Sequence, residues 1–223
     1  MTDIALYDMD RTITKRATYT PFLVHAAWRH QKWRLLLFPA ALVSILAYAI
    51  GLVDRAKLKE INHALLLGPQ LPAETAARLS ESYAGRVLAE NVFVQAAAQI
   101  AIDRSEGRRL VLATASYAFY VDPIAQRLGF DDVIATRSVR DDGGAILPRI
   151  DGENCYGDAK RRMVERWMAE QGIDAGDSHI RFYSDSSSDM PVFDLSDEPI
   201  ATNPAHKLRR IAEKAGWKIK AWA

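Results

Sequence analysis

The sequence has little cysteine and almost no excess of charge of either sign. Its single cysteine, Cys155, has no partner for an intramolecular disulfide, which excludes a disulfide-stabilised secreted fold. The formal net charge of +1 gives none of the basic excess that nucleic-acid-binding proteins carry, so we expect no nucleic-acid partner. Asp3 lies where a secretory signal would carry positive charge. We therefore expect a cytoplasmic protein.

Charge is also absent from one long stretch. Residues 35–53, LLLFPAALVSILAYAIGLV, form a run of 19 residues without a charged side chain, which is at the lower limit for a helix that spans a bilayer. The whole chain of 223 residues is 49% hydrophobic and 26% charged, as in an ordinary folded protein with room for a core and an insertion. The apolar stretch therefore needs its own explanation.

Short apolar segments alternate with helical patterns from residue 107 onward. This alternation is typical of a doubly wound parallel sheet. The predicted strands cover residues 3–7, 110–113, 133–135, 180–183 and 199–202. The residues between the first and second strands have mostly helical patterns, with breaks near Pro39 and Gly68. We predict an α/β fold with a core formed by residues 1–14 and 106–223 and a helical cap inserted at residues 15–105.

Two aspartates follow the first predicted strand. Asp8 and Asp10 flank one residue after the apolar run Ile4–Tyr7, so their carboxylates should lie together in a crevice at the strand end. Their mutual repulsion favours a hard cation such as Mg2+. A carboxylate at this position can attack phosphorus and form an aspartyl-phosphate, while the second can protonate a leaving alcohol and later deprotonate water.

Polar residues also follow two later strands of the predicted core, and a lysine lies early in one of its helices. In doubly wound sheets, ligands bind outside the carboxyl ends of the strands, where Thr114 and Asp185 are expected. Thr114 can hydrogen-bond a phosphoryl oxygen, although Ser116 competes for this role. Lys160, early in a predicted helix, can neutralise a phosphoryl group, and Asp185 with Asp189 would complete or orient a metal shell.

The segments DMDRT, LATAS, Lys160 and YSDSSSDMP, in this order, resemble the haloacid dehalogenase superfamily of phosphohydrolases. More narrowly, the chain resembles the phosphoserine-phosphatase-like subgroup, in which a helical cap follows the first motif. The resemblance implies that Asp8 is the nucleophile and Asp10 the general acid and base. It also implies Mg2+ held by the Asp8 carboxylate, the Asp10 carbonyl and Asp185, with Asp189 in the acidic metal motif. The residues expected to bind the phosphate are Thr12, Thr114, Ala115 and Lys160.

The insertion raises the question of substrate. A single membrane span at residues 35–53 would separate Asp8 from the rest of the site, so two interpretations remain: a helix packed inside the cap, or a hairpin that dips into one leaflet and bends near Pro39. Tryptophan and basic residues flank the run within residues 28–59, which favours an interfacial hairpin and a peripheral position on the inner face of the membrane. Some members of the subgroup with apolar caps act on phosphatidylglycerophosphate. We therefore expect a lipid phosphate such as phosphatidylglycerophosphate or a lysophosphatidic acid.

Other functions stay open from the sequence. Thr114-Ala115-Ser116 replaces the Ser-Gly-Gly stretch that is common in phosphoserine phosphatases, but a soluble phosphatase of phosphoserine or a related small metabolite is the nearest alternative. A non-catalytic binding protein with the same fold is a more remote one. Three polar cap residues, Arg78, Arg86 and Asn91, are candidates for contact with the substrate.

Overall fold

The computed structural model of this chain describes residues 2–223, so residue 1 of the expected core segment lies outside it. The strands are β1 (Thr2–Tyr7), β2 (Arg109–Tyr117), β3 (Asp132–Arg140), β4 (Ile146–Asp151), β5 (Ser178–Ser184), β6 (Glu198–Thr202) and β7 (Lys218–Lys220). They form a seven-stranded sheet in the order β4-β3-β2-β1-β5-β6-β7. Neighbours are parallel except in the β3–β4 hairpin, which is antiparallel.

The central strand β1 is buried on both faces. Ile4 and Leu6 belong to one hydrophobic cluster, and Ala5 and Tyr7 belong to the cluster on the other face. Because side chains alternate along a strand, burial of both faces requires a continuous apolar run. The predicted α/β class is confirmed.

The helices divide into two groups along the chain. They are α1 (Tyr19–His30), α2 (Phe38–Ala49), α3 (Arg55–Leu66), α4 (Ala73–Glu90), α5 (Val94–Ser105), α6 (Ala118–Leu128), α7 (Asp158–Glu170), α8 (Met190–Phe193) and α9 (His206–Ala215). The first five lie between β1 and β2, whereas the others follow β2. The helical region expected between the first two strands is confirmed.

The apolar segment forms a helical hairpin with α3. A 3-10 helix, Lys32–Leu37, leads into α2, and Pro39 lies in the first turn of α2, where its missing N–H leaves no hydrogen bond unmade. The Ser44 hydroxyl of α2 lies 2.9 Å from the amide oxygen of Asn62 on α3. The predicted helix boundary near Pro39 is confirmed, but the expected bend of the hairpin at Pro39 is wrong, because the chain reverses in the short turn between Ala49 and Arg55.

Several strands differ from the predicted ranges. β3 extends to Arg140, beyond the predicted 133–135, and pairs with β4 in the antiparallel hairpin. β2 continues to Tyr117 instead of ending at Ala113, because its pairing with β3 resumes after a register shift between Thr114 and Tyr117. The strand β7 was not predicted, since three residues are too few to show a period. The extension of β2 places its polar residues inside an irregular strand end.

Candidate active site

The carboxyl ends of β1, β2 and β5 meet at one crevice. Tyr7 pairs with Tyr183 in the β1–β5 register, so the residues after both strands are neighbours. The crevice has a volume of about 280 Å³. Its lining residues are Asp8, Asp10, Arg11, Ala17, Arg55, Thr114, Ala115, Tyr156, Lys160, Asp185, Ser186, Ser188 and Asp189. The structure therefore brings together Asp8, Thr114 and Asp185, which are distant in sequence.

Lys160 lies between two carboxylates. Its Nζ is 2.8 Å from Asp8 Oδ1 and 2.9 Å from the Asp189 carboxylate. Gly157, with φ of 58°, turns the chain into α7 and leaves Lys160 in the first turn of the helix. Burial alone would lower the pKa of Lys160, but Asp189 and Asp8 outweigh burial and raise that pKa. The lysine is thus a fixed positive charge beside Asp8.

The negative charge of the carboxylates in the crevice is larger than the positive charge of Lys160. Burial raises the pKa of Asp8 to about 7, with Lys160 acting against the rise and Asp189 adding to it. Burial and Asp189 together raise the pKa of Asp185 to about 6. When Asp8 and Asp185 are ionised, nearby positive charge therefore does not fully offset the cost of their buried negative charge.

Asp10 is oriented by the start of the insertion. Its Oδ1 accepts hydrogen bonds from the Thr18 N–H at 2.9 Å and the Thr18 hydroxyl at 2.8 Å. The Ser116 hydroxyl donates to its Oδ2 at 3.3 Å. Burial raises the pKa of Asp10, although the Thr18 and Ser116 hydrogen bonds oppose this effect. The side chain is fixed at the crevice and can exchange a proton there.

Thr114 and Ser116 have different hydrogen-bond partners at the end of β2. The Ser116 N–H donates to Thr114 Oγ1 at 3.1 Å, which leaves the Thr114 hydroxyl proton free to donate into the crevice. Ser116 instead donates to Asp10. Ala115 also lines the crevice, and its carbonyl accepts hydrogen bonds from Lys59 and Thr136 at 2.5 and 2.8 Å.

Two expected site residues have different surroundings from those the sequence suggested. Thr12 is fully buried, and its Oγ1 accepts a hydrogen bond from the Asp185 N–H at 3.0 Å, so it holds the loop of Asp185 instead of facing the crevice. Asp189 contacts Lys160 and accepts a hydrogen bond from the Ser184 hydroxyl at 2.7 Å. Both contacts depend on side-chain orientation, which motif spacing does not determine.

The chemistry of the crevice fits Mg2+. Within residues 2–223, no three His, Cys, Asp or Glu side chains are grouped as a metal site. The expected ligands are the carboxylates of Asp8 and Asp185 and the backbone carbonyl of Asp10. Such a set does not require three clustered side chains, because Mg2+ keeps several water molecules as ligands. The raised pKa values of Asp8 and Asp185 indicate buried negative charge that a divalent cation would offset.

The insertion contributes a residue that sequence reasoning missed. Arg55, the first residue of α3, lines the crevice, and its Cζ lies 4.1 Å from the ring centroid of Tyr156. Arg86 and Asn91 instead line a separate cavity. The available signal was Asp54, whose side chain caps α3 by accepting from Lys57 N and so fixes the start of that helix directly after the apolar run.

Comparisons with known proteins identify the family of the chain. A sequence profile of the family described as haloacid dehalogenase-like hydrolase matches residues 5–194. A Mycobacterium tuberculosis protein named as a probable phosphatase is 33% identical over 135 residues, which are 59% of this chain and 45% of that protein. The chain spans a little under half the length of the first curated relatives that it matches.

Solved structures share the whole fold. A Bordetella pertussis protein described as having unknown function is 27% identical, with a TM-score of 0.87 over 99% of this chain and 98% of that one. A substrate-bound phosphoserine phosphatase is 19% identical, with a TM-score of 0.64 over 99% of this chain and 93% of that one. The second likeness concerns the fold alone.

Proposed function

Because this chain belongs to the haloacid dehalogenase-like hydrolase family, we propose that it is a Mg2+-dependent phosphomonoester hydrolase that acts through an aspartyl-phosphate. The observation that carries the proposal is the contact of 2.8 Å between Lys160 Nζ and Asp8 Oδ1, with Asp10 in the same crevice. A nucleophile, a proton donor and a fixed cation are thus available together.

The first step transfers the phosphoryl group to Asp8. An Asp8 carboxylate oxygen attacks phosphorus, the bond between phosphorus and the ester oxygen breaks, and Asp10 gives its proton to the leaving alkoxide. The raised pKa of Asp10 favours the protonated form that this step requires. Lys160 and the Thr114 hydroxyl stabilise the charge on the transferring group. When bound, Mg2+ would offset the repulsion between the Asp8 carboxylate and the phosphate.

The second step restores the enzyme. The Asp10 carboxylate, held by the two hydrogen bonds from Thr18, takes a proton from water while the water oxygen attacks phosphorus. The bond between phosphorus and Asp8 breaks, inorganic phosphate leaves, and Asp10 is protonated again. The rigid placement of Asp10 by Thr18 allows one side chain to serve both steps.

The proposed substrate is a lipid phosphate monoester, such as phosphatidylglycerophosphate or a lysophosphatidic acid, reached from the cytoplasmic face of a membrane. The stretch Lys32–Ala49 is long and apolar enough to cross a membrane by length and composition, although a core helix or a signal sequence can pass the same test. Only 11% of this stretch is buried. Leu42 and Leu46 are 52% and 61% exposed. These exposures support an interfacial hairpin more than a helix packed inside the cap.

The surroundings of the hairpin fit an anionic surface. Lys32 lies over the ring of Trp28 at 4.9 Å, and Arg34 lies over Trp33 at 4.7 Å, while both tryptophans are more than half exposed. Aromatic and basic groups of this kind suit the headgroup region. The hairpin turn leads directly into Arg55 at the crevice, so a docked hairpin would bring the crevice to headgroup level.

The test is phosphate release with Mg2+ from phosphatidylglycerophosphate and lysophosphatidic acid in mixed micelles, beside phosphoserine and other soluble monoesters. We expect turnover of the lipids, and Asp8→Ala provides the blank. Turnover of soluble esters alone would favour a soluble metabolite phosphatase. Absence of turnover from every ester would favour a non-catalytic binding protein.

Membrane docking has a separate test. We expect the variant carrying Leu42→Glu and Leu46→Glu to lose sedimentation with anionic liposomes, because two charges would enter the apolar layer. Val94→Glu is the control, since Val94 is 76% exposed on α5, outside the hairpin. Unchanged sedimentation of a folded double variant would contradict docking through this surface.

A further inference from the structure

A buried lysine of the insertion contacts the end of β2. Lys59 on α3 is only 6% exposed, and its Nζ donates to Ala115 O at 2.5 Å and to Asn154 Oδ1 at 2.9 Å. The ammonium lies 4.2 Å from the ring centroid of Tyr117. Its hydrogen-bond acceptors are thus neutral oxygens, although a buried lysine is ordinarily paired with a carboxylate.

Ala115, whose carbonyl accepts the hydrogen bond from Lys59, belongs to the irregular end of β2 that would hold the phosphate. Ala115 and Thr114 line the crevice. The Ala115 carbonyl also accepts from the Thr136 hydroxyl at 2.8 Å, so two donors fix the orientation of the peptide between Ala115 and Ser116. The N–H of that same peptide donates to Thr114 Oγ1 at 3.1 Å and so sets the direction of the Thr114 hydroxyl.

We propose that Lys59 is a positioning residue for phosphate binding, which acts through the Ala115 carbonyl to hold the irregular end of β2, Thr114 to Ser116, in its binding geometry. The proposal rests on the proposed function of the crevice. It connects the position of the insertion to the affinity for phosphate, since α3 carries both Lys59 and the crevice residue Arg55.

A positioning role of Lys59 can be distinguished from a purely structural one by comparing the melting temperature with the phosphate affinity. Burial, with a smaller effect of Arg55, lowers the pKa of Lys59 to about 7, which shows that its charge is costly in this place. Replacing a costly buried charge with an apolar side chain of similar length is often neutral or stabilising. Lys59→Met should therefore keep or raise the melting temperature while it weakens phosphate binding.

The experiment is titration calorimetry of inorganic phosphate with Mg2+ on the full chain. We expect Lys59→Met and Thr136→Val each to weaken phosphate binding, Lys59→Met by about tenfold, because each variant leaves one hydrogen bond to Ala115 O unmade. The double variant should lose less than the product of the single losses, since both donors act on one oxygen. Lys57→Met is the matched control, because Lys57 is on the same helix and its side chain is 60% exposed.

Three results would overturn the proposal. These are a phosphate affinity of Lys59→Met within twofold of the Lys57→Met control, independent losses in the double variant, and no binding of phosphate by the unaltered chain. Phosphate binding that depends on Lys59 in a chain without turnover would support the positioning role and contradict the proposed hydrolysis. Circular dichroism and melting curves establish that each variant is folded.

Discussion

Neutralising Asp8 should stabilise the metal-free protein at neutral pH while abolishing turnover. Asp8 is 8% exposed and lies beside Lys160, with Asp189 and Asp185 also acting on its charge. The variant Asp8→Asn keeps the shape of the side chain and removes one of these buried charges. Lys160 retains its contact of 2.9 Å with Asp189 in the variant, so its own charge stays paired.

The size of the effect follows from the pKa of Asp8. Burial raises this pKa from 3.8 to about 7, and each pKa unit corresponds to about 1.4 kcal/mol, so ionisation at neutral pH costs at most ~4 kcal/mol. This cost already includes the attraction to Lys160. Because the buried amide of Asn must itself be desolvated, we expect about half of this limit as a gain, about 2 kcal/mol or roughly 4–8 °C in melting temperature. The folded-state pKa lies above the unfolded one, so the stability that protonated Asp8 gives the unaltered protein is fully present below pH ~4 and is lost as the pH rises through about 7. The advantage of Asp8→Asn therefore grows over the same pH range.

The assay is a series of melting curves between pH 4 and 8, with and without Mg2+. Without the metal, the unaltered protein should lose stability relative to Asp8→Asn as the pH rises. Mg2+ should raise its melting temperature at pH 7.5 and have little effect at pH 5, where Asp8 is protonated. Lower stability of metal-free Asp8→Asn at pH 7.5, or an equal response to Mg2+ at both pH values, would refute this reasoning.

Two further predictions concern Asp10 and the buried residue Asp103. Asp10→Asn should lower kcat by about 10²- to 10⁴-fold with little change in melting temperature, because it removes proton transfer and keeps most hydrogen-bonding geometry; kcat within fivefold of the unaltered enzyme would contradict its role. Asp103→Ala should cost about 3 kcal/mol in urea unfolding, because it removes a fully buried carboxylate that accepts hydrogen bonds from Tyr7, Tyr183 and Arg181. Glu106→Ala is the control for Asp103, since its partly exposed side chain contacts the same arginine, and equal costs for both variants would contradict the prediction.

The sequence was sufficient for the parts of the site that follow from strand topology. Asp8 and Asp185 each follow an apolar run, and parallel strands must place their carboxyl ends at one edge. Thr114 could be chosen over Ser116 only by its position after the apolar residues of β2. In the structure the Ser116 N–H donates to Thr114 Oγ1 and the Ser116 hydroxyl donates to Asp10, which supports the proposal of Thr114 as the phosphate ligand.

Contacts that depend on helix packing could not be obtained in this way. Arg86 was a candidate for contact with the substrate and Arg55 was not, because the direction of each side chain depends on how α3 and α4 pack, which local periodicity does not determine. The same limit applies to Thr12, which the family resemblance assigned to the phosphate but whose oxygen accepts a hydrogen bond from the Asp185 N–H. Lys59 was expected among the basic residues that flank the apolar run at an interface, and this placement is wrong. It is buried against the end of β2, whereas a lysine in a polar helical pattern predicts a solvated face.

Strands β1 and β5 are held together just before the carboxylates of Asp8 and Asp185 that follow them. Tyr7, directly before Asp8, stacks on Tyr183 with ring centroids 4.2 Å apart and planes at 11°. Both phenols donate to the buried carboxylate of Asp103 on α5. Repulsion between Asp8 and Asp185 would separate the ends of β1 and β5, whereas a shared acceptor and a ring stack oppose that separation. The insertion that ends in α5 therefore stabilises the strand pair beneath the site as well as covering the crevice.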